Sequence, residues 1–209
     1  MKSGFIGIIG RPNVGKSTLL NALIGKKIAI TSDKPQTTRN IIQGIRTDSD
    51  SQMVFVDTPG IHKPQNKLGK ILNKQAYFEI NDVDIILFLI DITEPLGKGD
   101  LFVLDVLKNV KTPVILVINK IDKLPKEEIL RKIDEYKDLY NFNEIVPVSA
   151  RKMDNIDHLI EILKSKLTDN IKYYDENIYT DKPVNFIISE LIREKILNKT
   201  FEEVPHSVS

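Results

Sequence analysis

A chain of 209 residues with 41% hydrophobic and 28% charged residues has the apolar content to bury the core of one ordinary globular domain with some length to spare. Its net charge of +1 gives no global attraction to nucleic acid, so any RNA contact has to come from a local patch. The absence of cysteine excludes disulfides, thiol catalysis and Cys-ligated metal centres, and no apolar run reaches the length of a membrane span or signal-peptide core, so the expected location is cytoplasmic or at most peripheral to a membrane.

Apolar runs of strand length alternate with amphipathic stretches of helix length, the pattern of an α/β domain with a largely parallel central sheet flanked by helices. Strands are expected at residues 4–9, 41–46, 52–56, 85–90, 114–118 and 144–148, and helices at about 16–25, 66–80, 98–109, 126–138 and 155–167. The runs Ile85 to Ile90 and Val114 to Ile118 show no polar alternation, as expected of central strands covered on both faces. Past Leu167 the pattern loosens into a polar stretch, and a fresh amphipathic helix follows at 186–197. The expected division is a nucleotide-binding domain over 1–170, a linker over 171–184 and the first part of a second domain over 185–209, because one helix and a short tail cannot bury a core of their own.

The first strand runs straight into Gly10-Arg11-Pro12-Asn13-Val14-Gly15-Lys16-Ser17, which fits G-x-x-x-x-G-K-[ST], and Thr18 lies in the first turn of the helix that follows. Backbone N–H groups of such a loop point into one concavity, and the helix N-terminus adds its positive dipole end, so an anion is stabilised there. Lys16 supplies a point charge for the β- and γ-phosphates and Ser17 a hydroxyl for Mg²⁺. This P-loop follows a strand and opens a helix, the context the motif requires.

The strand ending near residue 56 delivers Asp57-Thr58-Pro59-Gly60. An aspartate there can hold Mg²⁺ through water, and the Gly60 N–H can bond a γ-phosphate oxygen. The strand over 114–118 delivers Asn119-Lys120-Ile121-Asp122. Guanine offers N1–H and its exocyclic amine as adjacent donors that one carboxylate accepts together, so Asp122 selects guanine over adenine. Asn119 is expected to bond the purine and the surrounding loops, and the Lys120 stem to lie along the base. After the last strand, Ser149-Ala150 places a backbone N–H where it can meet the guanine carbonyl oxygen. A small-molecule kinase uses a phosphate loop too, but has no need of the 119–122 segment.

In this order, with Gln36-Thr37-Thr38-Arg39 between the first and second motifs, the chain resembles the translation-factor-related GTPases, and Pro12-Asn13 together with 36–39 resembles their Era branch. The segment 188–195 followed by 204–208 is similar to the start of the KH-type RNA-binding domain of that branch. The resemblance implies a P-loop GTPase G domain with GTP or GDP and Mg²⁺ as ligands, a metal shell of Ser17, Asp57 and Thr38 (or Thr37), and Lys16, Thr38 and Gly60 in the catalytic site. Asn13 resembles an asparagine that helps hold potassium in cation-activated relatives. It further implies a monomeric switch in maturation of the small ribosomal subunit and its 16S rRNA, reached through the KH domain, with peripheral attachment at the inner face of the cell membrane. Ile61 stands where Ras-like enzymes place a water-orienting glutamine, which makes a nucleotide-gated ribosome-binding module with negligible turnover, or another Era-branch GTPase, the alternative readings. No Gly-x-x-Gly loop occurs after residue 183, so this chain is expected to bind nucleotide without reading rRNA sequence. His62, His158 and His206 carry no catalytic argument, and surface placement is expected for the first two.

Overall fold

The two unbroken apolar runs occupy the middle of the sheet, where helices cover both faces. In the computed structural model, residues 1–31, 40–60 and 82–199 are described. Their strands are β1 Lys2–Gly10, β2 Ile42–Thr47, β3 Ser51–Asp57, β4 Ile85–Asp91, β5 Val114–Asn119 and β6 Glu144–Pro147, in the spatial order β2-β3-β1-β4-β5-β6. Only the β2–β3 pair is antiparallel, a hairpin closed by the Asp48–Asp50 turn. The helices are α1 Lys16–Ile24, α2 Lys98–Leu107, α3 Lys126–Lys137, α4 Ile156–Lys166 and α5 Val184–Lys199. Described elements fall within two residues of their expected bounds, while the helix expected at 66–80 lies outside the described residues.

Because successive side chains of a strand point to opposite faces, β4 feeds two cores at once. Ile85, Leu87 and Leu89 pack with Leu19, Leu23, Leu159 and Leu163 of α1 and α4. Ile86, Phe88 and Ile90 pack with Val103, Leu104 and Leu107 of α2 and Tyr136 of α3. Helix α1 stops at Gly25, whose φ of 72° is the left-handed turn that glycine adopts without strain, and whose N–H donates to the Asn21 carbonyl at 2.9 Å. The parallel register sets Ile8 beside Asp57, Gly10 beside Leu89 and Asp91 beside Asn119, so the carboxyl ends of the parallel strands meet along one rim. A doubly covered sheet of this kind takes its ligand there.

The stretch expected to be a linker is bonded to the sheet. Gln52, fully buried in β3, donates through Nε2 to the Tyr174 carbonyl at 2.8 Å and accepts the N–H groups of Tyr173 and Tyr174 at 2.8 and 2.9 Å. On the outer side of β2, the Ile45 N–H donates to the Tyr179 carbonyl at 2.9 Å and the Asp181 N–H to the Gln43 carbonyl at 3.3 Å. Helix α5 then returns to the segment after α1: Lys27 Nζ reaches Glu194 Oε1 at 2.6 Å, and the Thr31 N–H donates to Glu194 Oε2 at 3.2 Å. No helix among the described residues is long and apolar enough to cross a membrane.

Candidate functional site

The 10–17 loop leaves β1 at Gly10, where a Cβ would lie 2.4 Å from the Leu89 carbonyl oxygen, so only glycine lets the chain exit beside β4. It turns through Asn13 and Gly15 in left-handed conformations, φ 65° and 101°. A Cβ on Gly15 would lie 2.4 Å from Asn119 Nδ2, so the loop rides directly on the β5 terminus. Val14 is buried beneath it, while Arg11, Pro12 and Thr18 are half-buried and Asn13 is exposed. Inside the curve, buried Lys16 donates to the carbonyls of Gly10 at 3.2 Å and Arg11 at 2.8 Å.

Ser17 Oγ donates to Asp57 Oδ2 at 2.7 Å, joining the loop to the end of β3. Buried Thr58 Oγ1 donates to the Ile8 carbonyl at 2.9 Å, which ties 57–60 to β1, and Pro59 is buried beside it. Gly60 abuts the loop so closely that a Cβ would lie 2.8 Å from Pro12 N. Asp57 Oδ1 is buried without a hydrogen-bond partner. A carboxylate with one unpaired buried oxygen, beside a hydroxyl and under a phosphate-type loop, is the oxygen donor set that a hard cation such as Mg²⁺ takes.

Burial raises the Asp57 pKa to about 6, against the opposing effects of Lys16 and Ser17. Burial lowers the Lys16 ammonium to about 8, against the opposing field of Asp57. An acid with a raised folded pKa destabilises the fold fully above about 6, and that penalty is relieved as pH falls toward 3.8; for Lys16 the penalty is full below about 8 and is relieved toward 10.5. At neutral pH the nucleotide-free site carries both. Asp57→Asn is therefore expected to stabilise the nucleotide-free protein at pH 7.5 by about 1 to 3 kcal/mol and to flatten the stability change between pH 4 and 6. Thermal melts of both proteins across that range check it, and an unchanged wild-type slope would contradict it.

At the other end of the rim, Asn119 is buried with both ends of its amide engaged. Its Nδ2 donates to the Val14 carbonyl at 2.9 Å and its Oδ1 accepts the Ala150 N–H at 3.1 Å. The Ala150 N–H, expected to donate to a guanine carbonyl, is thus directed to Asn119 in this structure. Lys120, left-handed at φ 66°, spans from β5 to the loop, donating to the Asn13 carbonyl at 3.0 Å and pairing with Asp91 at the end of β4. A short helical turn, Ile121–Lys123, follows and carries Asp122, exposed at the rim. Ser149 Oγ donates to Asp122 Oδ1 at 2.6 Å, and that bond holds the carboxyl below its usual pKa range.

The structure thus brings together residues 10–18, 57–60, 119–122 and 149–150. Thr37, Thr38, Ile61, His62 and His206 lie outside the described residues; His158 is exposed, as expected. Two groups were missed in the sequence. Asp91 closes the apolar run of β4 just as Asp57 closes that of β3, and a carboxylate at that strand position was the available signal. The ion pair of Arg11 with Asp100, at 2.8 Å, had no local signal because its partners are far apart in sequence.

The family model described as "50S ribosome-binding GTPase" matches residues 5–120, which makes the chain a P-loop GTPase with the fold expected above. It is 40% identical to the Era of a crystal structure in complex with MgGDPNP and nucleotides 1506–1542 of 16S ribosomal RNA, over 99% of this chain and 70% of that one, with TM-score 0.92. It is equally 40% identical to a Tyr-to-Ala variant of Aquifex aeolicus Era bound to GDP·AlF4⁻, over 99% and 71% of the two chains, with TM-score 0.91. The chain belongs to the Era family of GTPases. The FeoB G-domain from Methanococcus jannaschii, 25% identical over 81% of this chain and all of that one, is also similar, at TM-score 0.58.

Proposed function

We propose that this chain binds GTP and GDP at the rim formed by residues 10–18, 57–60, 119–122 and 149–150, and hydrolyses GTP to GDP and phosphate as a molecular switch. The observation that carries it is buried Asn119, which ties the Val14 carbonyl of the anion-binding loop to the Ala150 N–H, next to the Ser149 that bonds the Asp122 carboxylate. Ser17 and Asp57, with Thr38 from outside the described residues, would hold Mg²⁺, whose charge offsets that developing on the transferred phosphoryl group. Lys16 holds its proton on Nζ against the β- and γ-phosphates, and the Gly60 N–H is the third-phosphate contact. Asp122, oriented by Ser149, accepts the two guanine donors.

The partner reading follows the Era complex with 16S rRNA nucleotides, since that likeness extends over 99% of the chain, whereas the family description naming the large subunit matches residues 5–120. On this reading the protein acts in maturation of the small ribosomal subunit, with α5 similar to the first helix of a KH-type RNA-binding domain. Single-turnover hydrolysis of GTP, with and without small ribosomal subunits and in K⁺ against Na⁺ buffer, tests the proposal. Turnover above the buffer blank that rises with subunits is expected, and K⁺ dependence would support the role read for Asn13. GTP that is bound but never cleaved in any arm would favour the nucleotide-gated binding module.

A further inference from the structure

The outer face of the 10–17 loop is tied to the far side of the domain by a cluster that the nucleotide contacts do not use. The Arg11 side chain leaves the loop and lies down on the first turn of α2. A Cβ on Gly99 would be 2.5 Å from Arg11 Cδ, so the arginine stem occupies space that only a glycine at 99 leaves open. At the end of that stem Nε stands 2.8 Å from Asp100 Oδ1. The contact lacks the alignment of a hydrogen bond and is a pairing of charges. Asp100 is fully buried, and its Oδ2 accepts the Gly97 N–H at 3.1 Å, capping α2. Tyr136 of α3, itself buried, sets its phenol against the same carboxylate; burial first, and Asp100 next, raise its pKa.

A carboxylate taken out of water is costly unless a cation pairs with it, so Asp100 strongly favours the arrangement that keeps Arg11 in place. The backbone of Arg11 matters to the site for two reasons. Its carbonyl accepts Lys16 Nζ at 2.8 Å, and the next residue, Pro12, is the one against which Gly60 packs. Fixing Arg11 from outside therefore fixes the Lys16 ammonium and the approach of the 57–60 segment from inside.

We propose that Arg11, Asp100 and Tyr136 form a brace that holds the 10–17 loop in its anion-accepting shape, with Asp100 a positioning residue for nucleotide retention although it lines no part of the cradle. The inference rests on the reading of that loop as a nucleotide phosphate site. Gly99 makes it testable, because a purely structural cluster would change stability without changing nucleotide release. The added Cβ of Gly99→Ala displaces the arginine stem and leaves buried Asp100 without its cation, so a cluster that served only the fold would lower the melting temperature and leave nucleotide release unaltered. In a brace, displacing the arginine stem also loosens the loop.

The experiment measures release of the fluorescent analogue mant-GDP from the whole chain by stopped flow, alongside thermal melts, for wild type, Gly99→Ala, Asp100→Asn, Tyr136→Phe and the double variant Gly99→Ala/Arg11→Ala. Gly99→Ala and Asp100→Asn are each expected to speed release about tenfold, as for loss of one charge-assisted contact, and Tyr136→Phe about threefold. Adding Arg11→Ala to Gly99→Ala should speed release no further, since the stem is already displaced. Release within twofold of wild type in both Gly99→Ala and Tyr136→Phe overturns the brace even if Asp100→Asn does not fold. A wild-type chain that fails to retain mant-GDP overturns the reading of the loop itself, and the brace with it.

Discussion

Asp122→Asn is expected to reverse base preference, lowering the affinity for GTP relative to XTP by about three orders of magnitude or more. The Ser149 hydroxyl pins one oxygen of the carboxylate at 2.6 Å, so its orientation is set before any base arrives. Guanine presents two N–H donors to it. The asparagine amide keeps an oxygen for Ser149 and turns an NH₂ toward the base, where it opposes the guanine amine donor to donor but meets the xanthine carbonyl donor to acceptor. Setting donor against donor leaves both groups unpaired once the base covers them, which costs more than a typical hydrogen bond contributes. Competition binding of the two triphosphates measures the ratio. A variant that still prefers GTP a hundredfold would remove Asp122 from the base site.

Lys16→Ala is expected to weaken GTP binding by about ten- to a hundredfold, the loss of one charge-assisted contact to phosphate. The ammonium is buried; it donates to the Gly10 and Arg11 carbonyls, and Asp57 is its opposing charge. That is a poor set of partners for a cation out of water, which is why burial brings its pKa down to about 8. An anionic ligand supplies what the loop does not. In the nucleotide-free protein the alanine variant should also lose the stability gain that wild type shows as pH rises from about 8 toward 10.5, since that gain comes from relieving the Lys16 penalty. Calorimetric titration with GTP at pH 7, and melts between pH 7.5 and 10, check both halves. Normal affinity in Lys16→Ala would refute the phosphate-loop reading.

What is legible along the chain depends on whether an interaction is local. The phosphate loop, the D-T-P-G turn and the N-K-I-D segment are short runs whose chemistry is carried by neighbours in sequence, and each sits at the strand end expected of it. The unbroken runs of β4 and β5 announce two covered faces because a strand with one wet face must alternate. The antiparallel pairing of β2 with β3 is not legible, since orientation follows from a three-residue turn whose polar residues look like any loop. Asp91 escapes notice because its partner, Lys120, lies 29 residues away in a motif already read for another purpose. The 169–181 stretch has no hydrophobic period at all. Its attachment runs through backbone groups and the amide of Gln52, which leave no trace in hydropathy. Buried Glu190, Arg193 and Glu194 mislead in the same way, for a helix judged by its apolar stripe does not reveal which charged residues will be enclosed.

The attachment of Tyr179 and Asp181 along β2 has a further effect, on how these molecules meet one another. β2 is an outermost strand, and the bare edge of a sheet is a row of free donors and acceptors on which a second chain can add itself as a strand. Here the chain fills that row with its own backbone, at Gln43 and Ile45. The same residues that lead toward α5 thus act as a selvedge, finishing the sheet so that it does not ravel into its neighbours. Any partner that peels this stretch away to move α5 would uncover the β2 edge at the same time, coupling displacement of the C-terminal helix to exposure of a surface prone to self-association.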